Sequence, residues 1–173
     1  MLSNFYNFFE FLGYLSLVFH FYGFYTHNRQ KMLISGFISA LLLGFTYLNH
    51  FALMGLSLTI LSLLSKSLNL FLKREILEIY EKYLHYFIFI LSFIFLILFI
   101  PIEGYRAILP IFGLIFVLIS DNQKDILYMK YFYIGSALSW LSYAYLIHSI
   151  PAILYDVIGI IILIYTIHKI KNK

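Results

Sequence analysis

Seven apolar segments, most of them close to the roughly 20 residues a helix needs to cross a bilayer core, constrain this chain more than anything else in it. They cover about 8–25, 32–48, 51–72, 84–100, 107–120, 126–148 and 150–167. Of the 173 residues, 62% are apolar and 12% charged, against nearer 45–50% and about 25% in soluble domains. A soluble core of this size could not absorb so much apolar surface, so a lipid bilayer must cover much of it. The spans use most of the chain and leave no room for a soluble domain. The first segment, preceded by Met1-Leu2-Ser3-Asn4-Phe5, has no basic n-region and no small-residue cleavage site, and is expected to be a retained helix.

The segments group three, one, three. Tyr47-Leu48-Asn49-His50 closes the second and Tyr145-Leu146-Ile147-His148 closes the sixth, 98 positions on. The expected fold is an all-α membrane protein with seven transmembrane helices as 3+1+3. Two parallel triple-helix bundles, at about 8–72 and 107–167, are joined by a linker helix at about 84–100 within one integral membrane domain. Parallel repeats about an axis along the membrane normal are a transporter architecture. The fourth segment is nearly pure Ile, Leu and Phe, which predicts a lipid-facing linker without chemistry. The charged stretch 73–82, with Glu75, Glu78 and Glu81 on one face, predicts an interfacial helix between the trios. Gly36, Ala40 and Gly44 form a small-residue row suited to close helix contact.

Basic residues set the orientation, because cytoplasmic loops are enriched in Lys and Arg. With seven spans, the N-terminus outside and the C-terminus in the cytoplasm, 11 of the 12 Lys and Arg residues fall on the inner side and only Arg106 outside. Lys66, near the end of the third segment, is expected to snorkel outward. The localisation that follows is a multi-pass protein of the bacterial inner membrane.

Several function classes drop out. There is no cysteine, hence no disulfide, thiol catalysis or thiolate metal site. The six histidines show no HExxH or i, i+4 pairing, so neither a metal nor another cofactor is expected, and no nucleic-acid footprint exists because topology accounts for the basic residues. An intramembrane enzyme would need two convergent ionisable groups, and only Asp156 reads as buried, so no enzymatic activity is expected. His20, inside the first segment, could relay protons; His50 and His148, at matching ends, could anchor at the interface or sense pH.

Asp156 is the acid inside an apolar segment. A charge in the bilayer core costs about 2.5–3.5 kcal/mol on insertion scales, so it should face protein or water. Its functional reading is a solute acceptor or proton-coupling group; the alternative is a packing carboxylate near the surface. Ser136, Ser139, Trp140 and Tyr143 share one helical face. Hydroxyls beside an aromatic plane suit a small polar solute such as a sugar, and helix packing would use the same small residues. Shifting Asp156 back by 98 lands on Leu58, flanked by Ser57 and Thr59, which makes those two hydroxyls the candidates opposite the carboxylate.

With that plan in hand, the chain resembles the superfamily of SWEET sugar transporters, SemiSWEETs and PQ-loop proteins, and more closely its bacterial inner-membrane branch, the Imp-YgjV family. The resemblance is best over 108–164: a Leu109-Pro110 start, a short basic turn after a helix, Trp140-x-x-Tyr143, a turn containing Ser149, and Asp156 in the last helix. It implies triple-helix bundles around a central pocket, with sugar bound between the third and seventh helices, commonly by an Asn pair. Here that region carries Ser57, Thr59 and Asp156, with no Asn pair. The Pro-Gln dipeptide is absent too, and Gly13 stands where Pro110 has its repeat partner. The reading is a SWEET-like carrier of a small polar solute; the alternative is a non-transporting membrane assembly or regulatory protein of the same fold. A second copy of the chain, as a homo-oligomer, is a further partner class the composition permits.

Overall fold

Short polar stretches between the apolar segments carry the residues that begin and end helices. In a computed structural model, which describes residues 2–71 and 74–172 and the side chains of 7–71 and 83–172, the described chain is all helical. The elements are α1 (Leu2–Tyr25), α2 (Arg29–Asn49), α3 (Leu53–Phe71), α4 (Arg74–Glu103), a 3-10 turn Gly104–Ile108, α5 (Leu109–Asn122), α6 (Ile126–Leu146) and α7 (Ile150–Lys171). Asn28 caps α2 by accepting from the Lys31 amide, and Asp125 caps α6 by accepting from the Leu127 amide. Each satisfies a donor that the first helical turn leaves unpaired.

The fourth helix departs from the sequence reading at both ends. Rather than an interfacial helix followed by a span, α4 is continuous from Arg74; Lys73 and the side chains of Glu75, Glu78, Glu81 and Lys82 lie outside the described residues. It also runs through Pro101 to Glu103, where the apolar pattern stops at 100. A proline in a helix forfeits the bond its own nitrogen would have made and crowds the carbonyl four residues back, yet here the helix continues for two more residues. The helix ends instead at Gly104, whose φ of +68° is the left-handed conformation that glycine adopts without a Cβ penalty. The chain then reverses. Asn122 at the end of α5 bonds His85 in the first half of α4 (2.6 Å), so α4 and α5 form an antiparallel pair.

Helix adjacency is cyclic. Within one row α2 packs between α1 and α3, and within the other α6 packs between α5 and α7; α3 meets α5 and α7 meets α1. The outer members of each row make little direct contact, so the six helices enclose a centre instead of forming two filled bundles. The fourth helix packs outside, on α3, and exposes Phe87, Ile90, Phe93, Ile94 and Ile97. Among the described residues, four helical stretches are long and apolar enough to cross a membrane: Arg29–Asn49, Leu53–Phe71, Tyr83–Asn122 and Ile150–Lys171. The third includes the α4–α5 reversal.

The two helix-to-helix turns that follow α2 and α6 share one hydrogen-bond pattern. Phe51 (φ 51°) and His148 (φ 56°) take the left-handed position. Around them the amides of Ala52 and Ser149 reach back five residues to the carbonyls of Tyr47 and Ala144, as in a Schellman C-cap. The spacing between Phe51 and His148 is 97 residues, as it is between the caps Asn28 and Asp125. The turns therefore match one residue away from the 98-residue echo in the letters, and Asp156 corresponds to Thr59 rather than to Leu58. Leu58 is fully buried against α4 and α5.

Gly55 near the start of α3 is required by close approach. A Cβ there would lie 2.6 Å from Cε1 of Tyr143, an edge of a buried ring that is itself bonded. Gly55→Ala should destabilise the protein by about 1–3 kcal/mol, the usual cost of overpacking, as read from thermal unfolding of the purified protein.

Candidate functional site

At the end of the ring where α1, α3 and α5 finish, buried charge holds four helices together. The Lys66 ammonium donates to Oδ2 of Asp121 (3.0 Å) and to Ser62 (3.3 Å), and lies 5.5 Å from the centre of the Tyr133 ring. Tyr133 donates its hydroxyl to the other carboxylate oxygen of Asp121. Both charges are out of solvent: Asp121 is 0% and Lys66 3% exposed. Arg29 adds bonds to the carbonyls of Asp121 and Gln123 and to the Asn69 side chain, and Lys130, fully buried, donates to the carbonyl of Phe24. Lys66 therefore does not snorkel, and Asp156 is not alone among buried acids. Both positions looked peripheral because they sit near helix ends. What brings them inward is each other, since a buried charge is tolerated when paired and hydrogen-bonded.

At the other end Glu103 forms a second clasp. Its Oε1 accepts from the Met54 amide (2.7 Å), and its Oε2 accepts from the Tyr143 hydroxyl (2.7 Å). That hydroxyl in turn accepts from the Gly55 amide (3.1 Å). Glu103 thus satisfies an orphan donor in the first turn of α3 and ties α4 to α6. On the same side Glu10 accepts from Asn49 (3.2 Å) and contacts His50 (2.9 Å). The fourth helix, read as chemically silent, ends in one of the two clasps.

Between the clasps lies a cavity of about 80 Å³ lined by all six ring helices, room for several waters. Lys66, Thr59 and Ser62 of α3 line it, with His20 of α1, Tyr47 of α2, Ser136 and Trp140 of α6, and Tyr155 and Asp156 of α7. Five pairs in its wall stand 97 residues apart: His20 and Val117, Gly36 and Tyr133, Ala40 and Ala137, Leu43 and Trp140, Thr59 and Asp156. Apart from Ala40 and Ala137, the pairs share positions but not chemistry, so the cavity is one-sided in polarity.

Two of its polar atoms, Asp156 Oδ2 and His20 Nε2, are buried without a hydrogen-bond partner. His20 is stacked on Tyr155, ring centres 3.4 Å apart, with Gly159 beside its Nε2. An unpartnered buried polar atom costs about 1–3 kcal/mol, so two in one cavity mark a place where something else supplies the partner. Among the described residues no group of three or more His, Asp or Glu side chains could hold a metal ion.

Of the residues singled out in the sequence, Asp156, Trp140, Ser136 and Thr59 line the cavity together. Three do not join them. Ser57 is half-buried away from it, because two residues along a helix turn it to nearly the opposite side of α3 from Thr59. Ser139 turns its hydroxyl back onto the Gly135 carbonyl (3.2 Å), and Tyr143 is fully buried in the Glu103 clasp. Lys66, Ser62 and Tyr155 were missed; Ser62 and Lys66 were signalled by falling three and seven residues after Thr59, on its face of α3. His50 and His148 are not equivalent: one pairs with Glu10, the other is the left-handed residue of its turn.

With the ring and its polar centre described, the comparison with known proteins is decisive at family level. Imp-YgjV, a family of bacterial inner membrane proteins, matches the chain over residues 8–173. The chain belongs to the Imp-YgjV family. Neither a curated protein nor a solved structure matches it. This Imp-YgjV protein is accordingly an integral inner membrane protein, and its apolar helices are multi-pass spans.

Proposed function

We propose that this Imp-YgjV protein is a carrier for a small polar solute, with seven spans arranged 3+1+3 as in SWEET-like proteins. The observation that carries this reading is the cavity at the centre of six helices, with Asp156 and His20 unpartnered in its wall. Clefts that bind small molecules combine an apolar wall with a few convergent polar groups, and carriers of repeat architecture place their sites between the repeats. The 97-residue register of caps, turns and wall positions supports two copies of one three-helix unit, with α4 as the linker. The Lys66–Asp121 and Glu103–Tyr143 clasps lie at the two ends, where alternate opening would break one at a time. No reaction is needed for this role, and no chemistry on the solute is proposed.

The proposed orientation puts the N-terminus outside and the C-terminus in the cytoplasm. Arg29, Lys31, Lys124, Lys169 and Lys171 then mark the inner end, while Glu10 and Glu103 lie at the outer one. A reporter active only in the cytoplasm should work after Lys173 and stay silent before Met1; the opposite pattern would reverse the assignment. The carrier reading itself is tested by a solute-uptake screen in proteoliposomes. Saturable uptake of at least one small polar solute above that of protein-free vesicles is expected. Uptake no faster than in those vesicles for every solute would favour the non-transporting assembly or regulatory role.

A further inference from the structure

The chemistry of the cavity wall narrows the solute. Its carboxylate has no counter-charge in the protein: Oδ2 of Asp156 is unpartnered, and the lysine in the wall, Lys66, is already bonded to Asp121. The hydroxyls nearby are largely engaged. Thr59 donates to the Gly55 carbonyl (2.8 Å), Tyr155 bonds Ser39 (2.9 Å), and Tyr133 bonds Asp121. Among the described residues, a polyol would find only the hydroxyls of Ser136 and Tyr47 and the Trp140 indole N–H without a bond of their own. Aromatic surface is what the wall offers instead: Trp140 and Tyr47 stack with ring centres 5.7 Å apart, and Tyr155 lies beside Asp156 in the same wall.

A carboxylate beside electron-rich ring faces is the combination that attracts an organic cation, since the ring quadrupole and the anion act in the same direction. We infer that the solute is a compact organic monocation, an ammonium of about the size of methylammonium or tetramethylammonium, whose charge is met by Asp156 and by the faces of Trp140 and Tyr47. A cavity of about 80 Å³ admits a head group of that size. Where the ammonium carries N–H, the unpartnered His20 Nε2 is a second acceptor. This assignment rests on the reading of the cavity as a solute site and specifies what it takes.

The chain contains one tryptophan, and that tryptophan is in the wall, so its fluorescence reports on the cavity. Full-length protein in lipid nanodiscs would be titrated at constant ionic strength with methylammonium chloride, tetramethylammonium chloride, potassium chloride, glycerol and glucose. The expected result is a saturable change in Trp140 emission with at least one ammonium salt and none with potassium chloride or the polyols. Asp156→Asn should weaken the ammonium response about 30-fold or more, the scale of truncating one partner of a buried charge pair, while Asp156→Glu keeps it. Saturation by a polyol with none by an ammonium would overturn the cation assignment and leave a solute carrier standing. No saturation by any probe, together with uptake no faster than in protein-free vesicles, would overturn both. Equal ammonium responses in the native protein and Asp156→Asn would remove Asp156 from the site. Should Asp156→Asn not purify as a folded protein, the contrast between ammonium salts and polyols on the native chain decides the matter alone.

Discussion

Asp121→Ala should be among the most damaging single substitutions in the protein, costing about 3–5 kcal/mol of stability. The carboxylate is fully buried and accepts from Lys66 and Tyr133. Its removal leaves an ammonium 3% exposed with one hydroxyl for company. The cost comes from that stranded charge more than from the lost attraction. A double substitution that removes both charges, Lys66→Met with Asp121→Leu, should therefore recover most of the loss, because a buried ion pair and a well-packed apolar pair are often close in energy. Unfolding of the three variants in the same lipid environment checks this. A loss below about 1 kcal/mol for Asp121→Ala would mean that the pair is hydrated and not part of the closed inner end.

The second aspartate should behave in the opposite way. Asp156 is 3% exposed but the fold supplies no partner for its Oδ2, so folding gains no bond there to offset the burial of the carboxyl group. Asp156→Asn removes the charge at nearly constant volume. It should leave thermal stability unchanged or raise it, while solute uptake falls about 30-fold or more if the carboxylate meets the solute's charge. Loss of stability with uptake intact would reduce Asp156 to a structural residue. Two buried acids of one chain, separated by whether the fold supplies their partner, thus give contrasting signatures in one pair of assays.

The separate fates of these acids explain what could be read from the letters and what could not. Asp156 stands in the middle of an apolar run, so the energetics of the bilayer single it out. Trp140 and Ser136 follow from one helical face. Asp121 and Lys66 instead sit near span ends, where a charge normally escapes to water, and nothing local reveals that α3 and α5 bring them within 3.0 Å of each other. Glu103 was concealed by Pro101, since a proline reads as a terminator and the two further residues of helix are what carry the carboxylate to Met54 and Tyr143. The letters suggest a 98-residue spacing, whereas the caps and turns of the structure share a 97-residue one. The Tyr-Leu-x-His match compares side chains, whereas the alignment of the two halves is set by backbone geometry at Phe51 and His148. The one-residue difference is enough to exchange buried Leu58 for Thr59 in the cavity wall.

The account turns on one claim, that the centre of the ring is a compartment open in turn to each side of the membrane. The native chain has no cysteine, so single cysteines can be placed without removing any. Ala40→Cys and Ala137→Cys put a thiol at the two matching wall positions, and Ile97→Cys on the exposed face of α4 serves as the lipid-facing control. Each would be treated in oriented vesicles with a small membrane-impermeant methanethiosulfonate applied from one side and then, separately, from the other. The prediction is that both wall thiols react from either side and the control from neither. Wall thiols that remain unreactive from both sides would contradict the account.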